Sequence, residues 1–226
     1  MKRWDVLIGV VISLALLAGA WWRVLPFGLV EVFGFITGGV SVWLYVKENV
    51  WAWPVGLANS ALFAGLFLQA RLYADMALQG VYIVLGVLGW YLWLRGGERQ
   101  AGVAIARIDR WTAAVLALLG VGATYGLTLF LRSVGDAAPF LDALTTVLSL
   151  IAQYLLTRKL IENWAVWIAA DVIYIGLYAS RGLYLTGMLY LVFLCMCVAG
   201  LRAWRRALAA GGAAAGGAPV AVEAHA

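Results

Sequence analysis

In one otherwise apolar run, Glu162-Asn163-Trp164-Ala165-Val166-Trp167-Ile168-Ala169-Ala170-Asp171, two indoles and a carboxylate stand close together. Offsets of three and seven residues from Trp164 put Trp167 and Asp171 on one face of a helix. Asp171 lies about nine residues from the nearest charged flank, roughly mid-bilayer depth at 1.5 Å per residue. An ionisable group there costs at least about 2.5–3.5 kcal/mol, so it is expected to face a protein or water-filled interior and to mark a ligand site. The alternative is a structural Asp bonded to a neighbouring helix. A second constellation is Asp142, Thr146, Ser149 and Gln153, whose offsets of four, seven and eleven make one polar stripe. Such a stripe is either interhelical glue, at about 0.6–2 kcal/mol per contact, or the wall of a cavity.

Other chemistries are excluded by what the chain lacks. The only histidine, His225, is the penultimate residue, so a histidine-based catalytic or metal centre is not expected. Cys195 and Cys197 lie two apart in a hydrophobic run and point to different faces, which predicts neither a disulfide nor a metal site. There is no G-x-x-x-x-G-K-[ST] loop for ATP and no G-x-S-x-G serine. An intramembrane enzyme acting on lipid or peptide is therefore disfavoured, and neither metal nor cofactor is expected.

The elements that would position these residues follow from composition. With 65% hydrophobic residues, 12% charged and a mean hydropathy of +0.94, the chain is far from the soluble norm of about 45–50% apolar and 25% charged. The apolar segments are long and continuous, so an all-α polytopic membrane protein is predicted and not a barrel. Eight spans can be drawn, near Trp4–Ala20, Leu29–Val46, Trp51–Gln69, Arg71–Arg95, Trp111–Leu131, Phe140–Leu156, the Asp171 stretch, and Tyr184–Trp204. The net charge of +5 does not signal nucleic acid, because the cations cluster between spans. Twelve of the sixteen fall on one side of this topology and four on the other, which places both termini in the cytoplasm.

The chain also repeats itself. Tyr73, Leu78, Gly89, Trp93 and Arg95 match Tyr184, Leu189, Gly200, Trp204 and Arg206 at a constant spacing of 111, and Trp53 matches Trp164. Lys47-Glu48-Asn49 recurs as Lys159…Glu162-Asn163, with a few residues of slippage. The expected organisation is an N-terminal helix in residues 1–28, a first three-helix repeat in 29–95, a cytoplasmic loop and connecting helix in 96–137, a second repeat in 138–206, and a disordered tail in 207–226. With one helix between them the repeats run parallel, an arrangement in which small transporters place a site between halves.

Taken together, Gly56-Leu57-Ala58-Asn59, Leu72-Tyr73-Ala74-Asp75-Met76-Ala77-Leu78-Gln79, Gly89-Trp90-Tyr91-Leu92-Trp93, Val147-Leu148-Ser149 and Thr157-Arg158-Lys159…Trp164…Trp167 resemble the Pnu family of vitamin transporters. The resemblance covers about residues 29–206, and its best-known branch carries nicotinamide riboside. It implies a SWEET-like 3+1+3 core, here with one added N-terminal helix, a homotrimer in the inner membrane, and facilitated diffusion made directional by phosphorylation of the vitamin. Carried over, the family's spaced tryptophans followed by Asn or Asp fall on Trp164, Trp167 and Asp171, with Asn59 and Gln79 as the matching polar positions of the first repeat. Thr146, Ser149, Gln153 and Tyr174 complete the expected substrate site. Thiamine, also cationic, is the nearest alternative vitamin, and neutral riboflavin fits less well.

Overall fold

The computed structural model describes residues 29–69, 73–97, 102–135, 138–180 and 184–216, with Ala18 and Gly182 as isolated positions. The expected first helix, Trp4–Ala20, and the cations Lys2, Arg3, Arg23, Arg71, Arg99 and Arg181 lie outside the described residues. Seven helices follow in order among the described residues: α1 Leu29–Val46, α2 Ala52–Gln69, α3 Tyr73–Arg95, α4 Arg110–Ser133, α5 Pro139–Thr157, α6 Asn163–Ser180 and α7 Tyr184–Gly216. Among the described residues the only strand-like pairing is one isolated parallel bridge, Ala106 with Leu160.

Among the described residues four helical stretches are long and apolar enough to cross a bilayer: Met76–Arg95, Arg110–Ser133, Pro139–Thr157 and Gly187–Ala210. The described apolar part of α1, Val32–Val46, is shorter. The α2 and α6 helices are 18 residues each, and Asn163 and Asp171 lower the apolar character of α6. The last helix continues to Gly216, past the boundary drawn at Arg206, through a stretch dominated by alanine, the strongest helix former.

The repeat holds in backbone detail. Ala52–Gln69 and Asn163–Ser180 differ by 111 at both ends, and Tyr73 and Tyr184 begin α3 and α7 at the same interval. The turn after α1 has Glu48 in the left-handed region (φ 55°), with Asn49 N–H donating to Leu44 O (2.9 Å) and Glu48 N–H to Tyr45 O (3.0 Å). After α5, Lys159 has φ 57°, Leu160 N–H donates to Leu155 O (2.9 Å) and Lys159 N–H to Leu156 O (2.9 Å). Both are Schellman turns, which close the last carbonyls of a helix through a left-handed residue. This corrects the slipped alignment of Lys47-Glu48-Asn49. These residues correspond to Arg158-Lys159-Leu160 with no slippage, because the turn selects a backbone shape and not a side-chain charge.

The chain divides into two compact units, Met1–Tyr91 and Leu92–Ala226. In the first, α1 packs on α2, and the fully buried Trp53 lies against the backbone of α3 at Gly89, where a Cβ would collide with its ring. Tyr45 meets Trp53 edge-on at 4.9 Å. Phe63 packs over Gly34 and stacks on Phe67 at 5.9 Å.

In the second unit α4 packs on α5, α5 on α6, and α6 on α7. Trp164 repeats the contact of Trp53: a Cβ at Gly200 would sit 2.6 Å from its ring. Trp204 meets Trp164 edge-on at 5.4 Å and Trp93 at 5.9 Å. Trp93 Nε1 donates to Leu156 O (3.3 Å), and Lys159 Nζ lies 4.8 Å over the Trp93 ring.

The segment after α3 is strapped to the α5–α6 turn. Ala106 N–H donates to Lys159 O (3.2 Å), Ile161 N–H to Ala106 O (3.0 Å), and Ile108 N–H to Glu162 Oε2 (3.0 Å). Asp109 caps α4 by accepting from Thr112 N–H (2.9 Å). The Thr112 hydroxyl and amide hold its carboxyl below the usual carboxylate range. Since that pKa is lowered on folding, the cap is fully present at neutral pH and is lost on acidification through the lowered range.

The indole–glycine contact gives a direct expectation. Gly200→Ala forces the Trp164 ring to move and destabilises the protein by about 1–3 kcal/mol, the usual cost of overpacking. Gly122→Ala, whose Cβ meets nothing within 4 Å, leaves stability nearly unchanged. Thermal unfolding in detergent separates the two, and equal midpoints would show that the contact is not tight.

Candidate functional site

In the second unit the polar residues of the membrane interior converge where α5, α6 and α7 meet. Asp171, two turns into α6, is 5% exposed. Of the described residues, the one that donates a hydrogen bond to its carboxylate is Cys197 on α7, Sγ to Oδ2 at 3.5 Å. Such a bond is long and weak, because a thiol is a poor donor. An ionised carboxylate has about four lone-pair positions, so most of the acceptor capacity of Asp171 is open.

One turn further along α6, Tyr174 faces the Thr145 and Ser149 hydroxyls of α5. The Tyr174 ring stacks on Tyr178 at 6.0 Å, and both pack on Tyr190 of α7, at 4.7 and 5.2 Å. Tyr190 in turn meets Phe193 at 6.0 Å and stands near Asp171. The result is a carboxylate, a thiol, two hydroxyls and three phenols inside one three-helix bundle.

The expected residues are distributed as follows. Asp171 and Ser149 are buried in this cluster, Tyr174 is half-buried within it, and Thr146, Gln153 and Trp167 are half-buried. Trp164 is 2% exposed, packed on Gly200 and met by Trp204, which is the contact of a packing residue. Its Nε1, and Asn163 Oδ1 beside it, are buried without a hydrogen-bond partner among the described residues. In the polar stripe of α5, Thr145 is more deeply buried than Thr146. Its hydroxyl donates back to Leu141 O (2.9 Å) and Asp142 O (3.2 Å).

In the first unit, Asn59 Nδ2 donates to Gly34 O (2.6 Å) and to Thr37 Oγ1 (2.8 Å), joining α2 to α1. Gln79 is half-buried in α3. In the exact register of 111, Asn59 corresponds to Ala170 and Gln79 to Tyr190, while Ser60 takes the place of Asp171. The pairs Phe63–Phe67 and Tyr174–Tyr178 occupy the same positions, as do Gly34 and Thr145, and Gly86 and Cys197. One scaffold thus carries Phe63, Phe67, Gly34 and Gly86 beside Ser60 and Gln79 in the first repeat, and phenols, a threonine hydroxyl, a thiol and a carboxylate in the second.

Sequence reasoning missed Cys197, Thr145, Tyr178 and Tyr190 as members of the cluster. The register that equates Tyr190 with Gln79, already a site candidate, is the signal that could have found Tyr190. A separate groove of about 580 Å³ between α4 and α5, lined by Thr124, Thr128, Phe140 and Val147 among others, includes none of the expected site residues. Among the described residues no group of three or more His, Cys, Asp or Glu could hold a metal ion.

The role of Asn59 as a link between helices is testable. Asn59→Leu removes two interhelical hydrogen bonds, at about 0.6–2 kcal/mol each, and should lower the unfolding midpoint in detergent. An unchanged midpoint would show that these bonds contribute nothing to the bundle.

The chain is similar to known proteins in sequence and in fold. A family profile described as nicotinamide mononucleotide transporter matches residues 28–206. The chain is 28% identical over 201 residues to the nicotinamide riboside transporter PnuC of Escherichia coli (strain K12), covering 77% of this chain and 84% of that protein. It is 26% identical over 179 residues to the riboflavin/roseoflavin transporter RibM of Streptomyces davaonensis, with 77% and 83% covered. Of the solved structures, the crystal structure of the vitamin B3 transporter PnuC superposes with a TM-score of 0.65 at 24% identity, covering 88% of this chain and 91% of that one. At that identity the likeness is one of fold.

Proposed function

This chain belongs to the nicotinamide mononucleotide transporter family, which includes the PnuC proteins, and from that premise we propose that it carries nicotinamide riboside across the membrane by facilitated diffusion. The observation that carries the reading is Asp171, a carboxylate 5% exposed whose one hydrogen-bond donor among the described residues is a thiol. Nicotinamide riboside supplies what this group lacks, a delocalised cation whose apolar ring can enter an aromatic interior. A ring cation over an aromatic face contributes about 0.5–2 kcal/mol, and Trp167, Tyr174 and Tyr190 offer such faces in α6 and α7. Ser149, Gln153 and Thr146 are neutral groups suited to the carboxamide and ribose, and Asn59 and Gln79 are the polar groups of the first repeat.

The same carboxylate argues against the mononucleotide itself, whose phosphate would add a second anion to a low-dielectric site. The chain has no phosphate-binding loop for ATP, so direction would come from phosphorylation of the vitamin inside the cell. The constant register of α1–α3 and α5–α7, with α4 between them, supports a SWEET-like 3+1+3 core of parallel repeats, to which Trp4–Ala20 adds a further helix. The twelve-to-four distribution of cations supports an inner-membrane orientation with cytoplasmic termini. A homotrimer is the assembly we propose.

Riboflavin is the second reading, favoured by the similarity to RibM. It is a neutral ring system and gives Asp171 no counter-ion. Thiamine, whose thiazolium is cationic, is a further vitamin that suits the carboxylate.

Uptake of labelled nicotinamide riboside into proteoliposomes decides between these. Flux above empty vesicles, competed by unlabelled riboside but not by riboflavin, is the expected result. Riboflavin flux without riboside flux would overturn the assignment. Asp171→Ala should weaken binding of the cation by tenfold or more, about 1.4 kcal/mol, as read by calorimetry in detergent.

A further inference from the structure

Asp171 and Cys197 enter the chain together. In the first repeat their positions hold Ser60 and Gly86, and Gly86 is closed over by Leu57, which a Cβ there would meet at 2.8 Å. In the second repeat the space is filled by a buried thiol 3.5 Å from Asp171 Oδ2. Cys195, two residues away, is exposed on another face of the same helix. The thiol is therefore not a general feature of α7 but a group placed on the carboxylate.

A buried carboxylate can be held in several ways with opposite consequences for a ligand. A guanidinium or ammonium would neutralise it, and a hydroxyl would compensate its charge in part. A thiol is a weaker donor than either. It fixes the direction of one oxygen while leaving the negative charge and the other lone pairs nearly uncompensated. Around the pair stand Tyr190, close to Asp171, and Tyr174 and Tyr178, packed on Tyr190; these phenols present aromatic faces and no positive charge.

We propose that Cys197 is a positioning residue that sets charge selectivity: its thiol orients Asp171 toward the ring of the substrate and preserves the carboxylate's demand for a cation. The inference rests on the reading of Asp171 as the counter-ion of a pyridinium. It predicts that the protein distinguishes nicotinamide riboside from its reduced form, which has nearly the same shape but a neutral dihydropyridine ring.

The experiment measures the affinity of the full chain in detergent for both forms, by calorimetry, and takes their ratio. The wild type should favour the cation, and Asp171→Asn should abolish that preference. Cys197→Val, nearly the same size but without a donor, should cut the preference by about threefold to tenfold, the range expected for loss of one weak charge-assisted bond. Cys197→Ser keeps an orienting donor but compensates more of the charge, so its ratio should lie between those of Cys197→Val and the wild type, a partial rescue that a purely steric role for the side chain would not produce. Should Cys197→Val fail to yield folded protein, Cys197→Ala carries the same expectation. A donor-free variant with the wild-type ratio, beside an Asp171→Asn variant that has lost it, overturns the role of Cys197 and leaves Asp171 as counter-ion. An unchanged ratio in Asp171→Asn overturns both.

Discussion

An indole lying directly on a glycine organises each half of this protein. Trp53 on Gly89 and Trp164 on Gly200 are the same contact made twice, and each brings two helices closer than any side chain at the glycine would allow. Between membrane helices there is no hydrophobic drive to association, because lipid is as apolar as leucine. Close packing must supply the attraction. Dispersion over a whole indole face does so, and the neighbouring aromatic contacts, Tyr45 on Trp53 and Trp204 on Trp164, extend the same packed layer.

Once packing is fixed in this way, the interior farther along the helices can be varied without altering the scaffold. The first repeat uses that freedom for apolar closure, with Phe63 over Gly34 and stacked on Phe67, and Leu57 over Gly86. The second replaces these with Tyr174 and Tyr178 beside Thr145, and with Cys197 beside Asp171. Phenylalanine to tyrosine adds one polar atom and little volume, whereas glycine to threonine or cysteine adds a side chain where the first repeat has Phe63 and Leu57 closing over a bare backbone. Stability and ligand chemistry are thus separated along each helix, with packing near the strapped turn and polar groups deeper in.

Much of this was legible in the chain. The apolar runs predict helices, the interval of 111 predicts two equivalent three-helix units, and the position of Asp171 marks the expensive group. The exact register was obscured because charge type at the left-handed turn is not constrained, so aligning lysine with lysine led to a false slippage. Asn59 illustrates a different limit. A polar side chain in a membrane helix reads as a ligand contact or as helix glue, and only the helix beside it, here carrying Gly34 and Thr37, decides. Cys197 meets the same limit: spacing within one helix speaks to a disulfide or a metal site but not to the carboxylate on the next helix. Trp164, expected at the substrate, has a packing contact with Gly200 and Trp204 as its immediate surroundings.

The paired left-handed turns carry one more consequence. A non-glycine residue there costs roughly 1–2 kcal/mol in backbone strain, and at Lys159 this is offset by an ammonium 4.8 Å over the Trp93 ring, worth about 0.5–1 kcal/mol where exposed. Exchanging that lysine for glycine relaxes the chain and forfeits the ring contact, two effects of opposite sign. Strain and ring contact at residue 159 thus oppose one another within a single side chain, whereas Gly89 and Gly200 each belong to a fixed pair that can change only together with its indole.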